Sequence, residues 1–109
     1  MYVYNAKVIS AYDGDTIRVD VDLGFSFKKE NMALRLYGID APEIRGDTRI
    51  RGRASRDFLR EKILGEHVTI KTHKDAKGKY GRYLAEVFLG PISINDLMVQ
   101  EGHAVYREY

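Results

Sequence analysis

The chain has 109 residues, 44% of them hydrophobic and 31% charged, which is typical of a single globular domain with one modest core. The formal net charge of +2 and the isoelectric point near 8.8 slightly favour anionic partners, but a charge this small does not by itself indicate nucleic acid. Because the chain has no cysteine, disulfides and thiolate metal sites are excluded.

Two strands and a tight turn are predicted at the start of the chain. Residues 2–9 are rich in strand formers and predict strand one, and residues 16–21 alternate and predict strand two. Between them, residues 13–15 (Asp-Gly-Asp) predict a turn in which Gly14 can adopt a positive φ. The inward face of strand two is predicted to carry Ile17, Val19 and Val21.

The middle of the chain predicts a third strand and a helix. Residues 23–31 are interpreted as a hairpin connection, residues 32–39 as strand three, and residues 44–51 as an exposed basic loop. Residues 52–64 have apolar positions at helical spacing, and Gly65 is placed to end that helix. The predicted apolar face of the helix consists of Ala54, Phe58, Leu59 and Ile63.

The last third predicts two more strands and a short helix. Residues 67–72 form strand four, residues 73–79 a hairpin loop, and residues 82–89 strand five. Asn95 is a candidate N-cap for a helix that ends at Gly102. The core candidates of strand five are Leu84, Val87 and Leu89.

Five short strands with a helix between the third and fourth match an α+β fold built on a small Greek-key barrel of the OB type. Periodicity alone also allows other α+β arrangements. We expect one domain over residues 1–109, because no repeat, linker or low-complexity segment divides the chain. No apolar run is long enough to span a membrane and no signal peptide is visible, so we expect a soluble chain of unknown compartment.

A rigid corner at residues 35–43 (Arg-Leu-Tyr-Gly-Ile-Asp-Ala-Pro-Glu) is the most informative stretch. Pro42 keeps Ala41 out of the α region, so a strand ends in a firm turn that carries Asp40 and Glu43. Carboxylates on such a frame suit a hard cation and a general base. The same residues would also fit an ordinary turn with two solvated acids.

Two further segments, residues 13–16 (Asp-Gly-Asp-Thr) and 79–82 (Lys-Tyr-Gly-Arg), occur on either side of this corner in the sequence. All three, in this order, resemble the staphylococcal nuclease (thermonuclease-like) family. The resemblance covers nearly the whole chain, and it selects the five-stranded barrel among the possible arrangements. It implies a nuclease that hydrolyses DNA and RNA.

The resemblance also implies a Ca²⁺ site. Its ligands would be the carboxylates of Asp15 and Asp40 and the backbone carbonyl of Ala41, where many relatives have threonine. Asp13 would lie beside the ligands without touching the metal. From the residues alone, turn formation remains the alternative role for Asp13 and Asp15.

The implied catalytic residues are Glu43, as general base, and the two arginines Arg35 and Arg82 around the scissile phosphate. Lys79 and Tyr80 would contact a terminal phosphate of the substrate. Glu43 could instead only order water, Arg35 could pair with an acid of its own barrel, and Arg82 could cap a hairpin.

Other residues are assigned more loosely. In the family a tyrosine near the C-terminus stacks on the base, and Tyr106 or Tyr109 is the candidate here. The chain's three histidines have no zinc-like spacing and are predicted to be structural or exposed. A cluster of basic residues follows the corner in the sequence and consists of Arg45, Arg49, Arg51, Arg53 and Arg56. It could contact a nucleic-acid backbone, or it could form a solvated face of the loop and helix.

The predicted activity is calcium-dependent hydrolysis of DNA and RNA, with single strands preferred, little sequence preference, and 3′-phosphate and 5′-hydroxyl ends. The alternative is a non-catalytic OB-type module that binds single strands. The family's usual C-terminal helix is absent from this sequence, so exposed apolar residues predict a homodimer, or else a tail that folds back on the barrel. The candidate contact residues are Leu97, Met98, Val99, Val105, Tyr106 and Tyr109.

Overall fold

The computed structural model describes residues 2–77 and 83–108, with side chains at all of these positions except 74–77. Neither helix in this part of the chain is long and apolar enough to cross a membrane. The elements in chain order are β1 (Tyr2–Asp13), β2 (Thr16–Gly24), β3 (Phe27–Leu36), β4 (Ile39–Asp40), α1 (Arg49–Ile63), β5 (His67–Lys77), β6 (Tyr83–Leu89), β7 (Ile92–Ser93), α2 (Ile94–Gln100) and β8 (Val105–Tyr106).

Five long strands form a closed barrel in the order β3-β2-β1-β5-β6. Neighbouring strands in this order are antiparallel, and the barrel closes where β3 pairs in parallel with β6, Leu34 opposite Tyr83 and Leu36 opposite Ala85. The helix α1 lies between β3 and β5 in sequence and packs mainly on β1. The predicted five-stranded α+β barrel with two helices is therefore confirmed.

The barrel interior is filled by branched aliphatic side chains from every long strand. Ile17, Val19 and Val21 are buried, as their alternation predicts. On β6 the inward residues are Ala85 and Val87. Leu84, which was predicted to lie in the core, is only half-buried, and the inward residue is its neighbour Ala85. A shift of one residue moves a side chain to the other face of a strand.

The β2–β3 connection is much shorter than the hairpin predicted at residues 23–31. β2 continues to Gly24, and β3 already begins at Phe27. Phe25 and Ser26 form the turn with positive φ values of 52° and 67°. Such values are unusual for these residue types, so turn chemistry did not reveal the position.

The third strand also ends earlier than predicted. β3 stops at Leu36, and Gly38 with φ of 81° separates it from the short strand β4. β5 extends to Lys77, so residues 73–77 of the loop predicted at 73–79 belong to a strand, and residues 78 and 79 lie outside the described residues.

The first helix begins at Arg49 after a 3₁₀ turn at Gly46–Thr48, so the second half of the predicted loop is helical. Gly65 ends it with φ of 78°, as predicted. The apolar periodicity gave only part of the inward face: Ala54 is exposed and Phe58 half-buried. The buried residues are Gly52, Ser55, Leu59 and Ile63.

The N-cap of α2 is Ser93, whose hydroxyl accepts from the Asp96 amide at 3.2 Å. Asn95, predicted as the cap, is instead buried at 4% exposure. Its Oδ1 accepts from the Val87 amide at 3.0 Å, and its Nδ2 donates to the Tyr37 carbonyl at 2.8 Å and to Ala85. This side chain ties α2 to the barrel.

The C-terminal segment folds back onto the barrel as β8, where Val105 pairs with Asp40 and Tyr106 with Ile39. The Arg107 amide adds a hydrogen bond of 2.7 Å to the Gly38 carbonyl. Met98, a candidate for a dimer contact, is fully buried, whereas Val105 and Tyr106 are 65% and 62% exposed. This is the fold-back arrangement, the alternative to a dimer.

Candidate active site

A cleft of about 500 Å³ opens where β4 and the chain segment after it meet the β1–β2 turn. It brings Asp15 close to Glu43, which lies 28 positions later in the sequence. The cleft is lined by Tyr12, Asp13, Asp15, Arg35, Asp40, Ala41, Glu43, Ile44, Arg45 and Arg107. All three predicted acids, the carbonyl-bearing Ala41 and Arg35 therefore lie around one space.

The β1–β2 turn delivers Asp15 to this cleft. Asp13 accepts a hydrogen bond from the Asp15 amide at 3.1 Å, which fixes the turn. Gly14 does not have the expected positive φ. Glycine is required for space instead: a Cβ at this position would lie 2.8 Å from both the Ala41 and the Ser55 Cβ atoms.

Asp15 is a buried carboxylate, only 5% exposed. Its Oδ2 accepts from the Ala41 amide at 2.8 Å, and its Oδ1 accepts from the Thr16 hydroxyl at 3.2 Å. The pKa of Asp15 is raised to about 7, mainly by burial and also by the neighbouring Asp13, while the Ala41 amide and the charge of Arg35 partly offset this rise. A cation beside this carboxylate would favour its ionised form.

Arg35 bridges the two aspartates. Its Nη2 lies 3.2 Å from Asp15 Oδ2 and 3.0 Å from Asp40 Oδ1. Arg35 and Asp15 are buried, whereas the Asp40 side chain is 49% exposed. Arg35 therefore pairs with acids of its own barrel, which was the alternative to a catalytic role. Those acids are the two candidate calcium ligands.

The corner after β4 holds Glu43 at the cleft edge. The Thr48 hydroxyl donates to the Glu43 carbonyl at 2.8 Å. In the first turns of α1, Gly52 lies so close to this carbonyl that a Cβ would overlap with it. The Glu43 backbone is thus clamped from two sides, while its carboxylate remains exposed to solvent.

The donor set in the cleft could hold a hard cation. Two carboxylates, Asp15 and Asp40, and the Ala41 carbonyl supply only oxygen, which calcium prefers, and water can complete its coordination. Among the described residues no group of three or more His, Cys, Asp or Glu side chains is placed to hold a metal. Calcium would therefore depend on two carboxylates, a backbone carbonyl and water.

A family model described as staphylococcal nuclease homologue matches residues 33–109. The chain belongs to the staphylococcal nuclease family. It is 37% identical over 106 residues to the thermonuclease of Staphylococcus hyicus and 33% identical over 100 residues to that of Staphylococcus intermedius. These matches cover 94% and 89% of this chain but 59% and 56% of the two thermonucleases.

A third similar protein is Endonuclease Htp3 of Saprolegnia parasitica, 28% identical over 119 residues. That match covers 94% of the chain and 56% of the endonuclease. The chain thus spans less than two thirds of the length of these relatives.

Three residues that the family motif assigns, Lys79, Tyr80 and Arg82, lie outside the described residues, as does Tyr109. Tyr106 is described, and its hydroxyl donates to Asp96 at 3.0 Å on the α2 side. The exposed phenol is not among the residues that line the cleft.

Of the five arginines in the predicted basic cluster, only Arg45 lines the cleft. Arg56 pairs with Asp57 on the surface of α1. Two histidines have structural contacts, as predicted: His73 stacks on Tyr37, and His103 stacks on Phe58.

Sequence reasoning missed three residues of the cleft, Tyr12, Ile44 and Arg107. Tyr12 directly precedes the Asp-Gly-Asp turn, so its position next to the site was a usable signal. Arg107 reaches the cleft only because β8 pairs with β4. Local sequence contains no indication of that pairing.

Proposed function

We propose that this chain is a calcium-dependent nuclease that hydrolyses phosphodiester bonds of DNA and RNA with little sequence preference. Single strands are its preferred substrates, and the products have 3′-phosphate and 5′-hydroxyl ends. One observation carries the proposal: Asp15, Asp40, Ala41, Glu43 and Arg35 line a single cleft in a member of the staphylococcal nuclease family.

Calcium is the cofactor that the family resemblance implies, and the donor atoms fit it. Asp15 and Asp40 would contribute carboxylate oxygens and Ala41 its backbone carbonyl. Bound there, the cation would neutralise part of the charge of the phosphodiester and hold it in the cleft.

The protein side chains supply the rest of the reaction. Glu43, exposed at the cleft edge, would accept a proton from the attacking water while the water oxygen forms a bond to phosphorus. The bond from phosphorus to the 5′ oxygen then breaks, the 5′ oxygen takes a proton from solvent water, and Glu43 returns its proton to solvent. Arg35 and Arg82 would stabilise the charge on the phosphoryl oxygens, and Lys79 and Tyr80 would bind a terminal phosphate.

The test is digestion of plasmid DNA, single-stranded DNA and RNA with calcium, with magnesium, and with chelator. Calcium should support cleavage and chelator should stop it. Magnesium should support it poorly, because it demands tighter octahedral coordination. Full activity in excess chelator would contradict a calcium-dependent reaction, and binding without cleavage in calcium would favour the alternative, a single-strand binding module.

Self-association remains a separate proposal, a homodimer through the C-terminal segment. Its support is the exposure of Val105 and Tyr106 on β8. Sedimentation at micromolar concentration tests it: a dimer that dissociates when both residues are made polar would support the contact. A monomer at all concentrations would favour the fold-back alone.

A further inference from the structure

A second groove, of about 460 Å³, lies next to the cleft on the outside of the barrel. Its walls come from β1, β2 and β3, and Arg60 of α1 contributes from one side. Tyr12 lines both this groove and the cleft. The two spaces therefore meet at one exposed aromatic ring.

The position of Tyr12 results from an irregularity in the sheet. Ala11 is paired with Ile17 and Asp13 with Thr16, so Tyr12 is an extra residue in β1 with no partner on β2. Bulges of this kind redirect a side chain and are frequent next to active sites. Here the side chain is 54% exposed between the cleft and the groove.

The groove is positively charged. The Arg18 Nη1 donates to the Asn31 carbonyl at 2.9 Å, and Arg60 donates through Nε and Nη2 to the Ala11 carbonyl at 3.0 and 2.9 Å. Within the part of the chain that the structure describes, neither guanidinium forms an ion pair with a carboxylate. Both guanidinium groups are held in place by neutral carbonyl acceptors.

We propose that this groove is a further nucleotide subsite that binds the continuation of the single strand whose scissile phosphate lies in the cleft. The inference rests on the proposed function for its substrate class. The Tyr12 ring offers a stacking surface for a base at the boundary between the two spaces, and Arg18 and Arg60 lie beyond it to contact phosphates. A single strand fits this arrangement because its unpaired bases expose faces for stacking.

Binding measured without hydrolysis tests the subsite independently of catalysis. The probe is a fluorescently labelled 12-nucleotide single-stranded DNA, titrated by anisotropy in chelator at several salt concentrations. Tyr12→Ala should weaken binding about fivefold or more, whereas Tyr12→Phe, which keeps the ring, should bind like the wild type. Arg18→Gln should reduce the slope of log Kd against log salt by about 0.7, the value for one phosphate contact on a single strand.

Two exposed residues in the β2–β3 hairpin serve as matched controls, Phe25→Ala for the ring and Lys28→Gln for the charge. Neither residue lines the groove or the cleft. The subsite is refuted if Tyr12→Ala and Arg18→Gln bind as these controls do, or if the wild type does not bind the DNA in chelator. A wild type that binds with the expected dependence on both residues but does not cleave in calcium would refute the nuclease and leave the subsite standing.

Discussion

Gly52 of α1 lies directly against the backbone carbonyl of Glu43, with no space for a Cβ between them. The same carbonyl accepts the Thr48 hydroxyl at 2.8 Å. The helix therefore does more than cover the barrel: its first turns position the segment that carries the candidate general base. Catalysis by a positioned group is sensitive to displacements of this kind.

The first prediction follows from this contact. Gly52→Ala would ordinarily stabilise a helix by up to about 1 kcal/mol. Here the new methyl group must push the Glu43 backbone away, so we expect lower kcat and a lower free energy of unfolding. Arg53→Ala, on the exposed side of the same turn, is the control and should change neither much. A more stable Gly52→Ala with wild-type kcat would show that the contact does not position Glu43.

A second prediction concerns Arg35. Arg35→Lys keeps the positive charge but loses the planar guanidinium group, whose Nη2 contacts both Asp15 and Asp40. We expect kcat to fall by about 10²-fold, the scale for one preorganised donor. Steady-state kinetics should be compared with Arg53→Lys, which is exposed on α1. Equal turnover in the two variants would remove Arg35 from the catalytic residues.

The third prediction concerns the metal and does not depend on activity. Calcium at a hundred times its Kd should stabilise the folded chain by about 2.7 kcal/mol, a rise in Tm of about 10 °C for a domain of this size. Asp40→Asn should abolish most of this rise, because it removes a ligand. Asp57→Asn, an exposed acid on α1, should keep it. Thermal melts that respond to calcium equally in both variants would place the ion elsewhere.

A fourth prediction concerns Asn95. Its side chain is buried and joins the Val87 amide to the Tyr37 carbonyl, so Asn95→Ala leaves buried polar groups without partners. We expect a loss of about 2 kcal/mol in the free energy of unfolding, measured by urea denaturation. The exposed Asn5→Ala is the matched control. Equal stability of the two variants would mean that the bonds of Asn95 contribute little.

The strands of the barrel and the corner that carries Asp40 could be predicted from the sequence because they depend on local patterns. The alternation of Ile17, Val19 and Val21 gives the inward face of β2, and Pro42 produces the corner beside Asp40. The resemblance to the nuclease family supplied what periodicity left open, namely the closed arrangement of the strands.

Several of the errors share a physical origin, which is contact between distant parts of the chain. Gly52 and Gly14 are glycines because another element approaches closely, not because of their φ values. Asn95 resembles a helix cap in sequence, yet its partners Val87 and Tyr37 make it a buried connector. Likewise, the pairing of β8 with β4 brings Arg107 to the cleft, and no local pattern indicates it.

The most direct test of the central claim compares the wild type with Glu43→Gln on an end-labelled single-stranded oligonucleotide in calcium. We predict that the wild type cleaves it to products with 3′-phosphate ends. Glu43→Gln should cleave at least about 10²-fold more slowly, because the general base is lost. Calcium should still raise the Tm of this variant. Equal cleavage rates in the two proteins would contradict the account, since a reaction that does not need Glu43 is not carried out by the cleft as described.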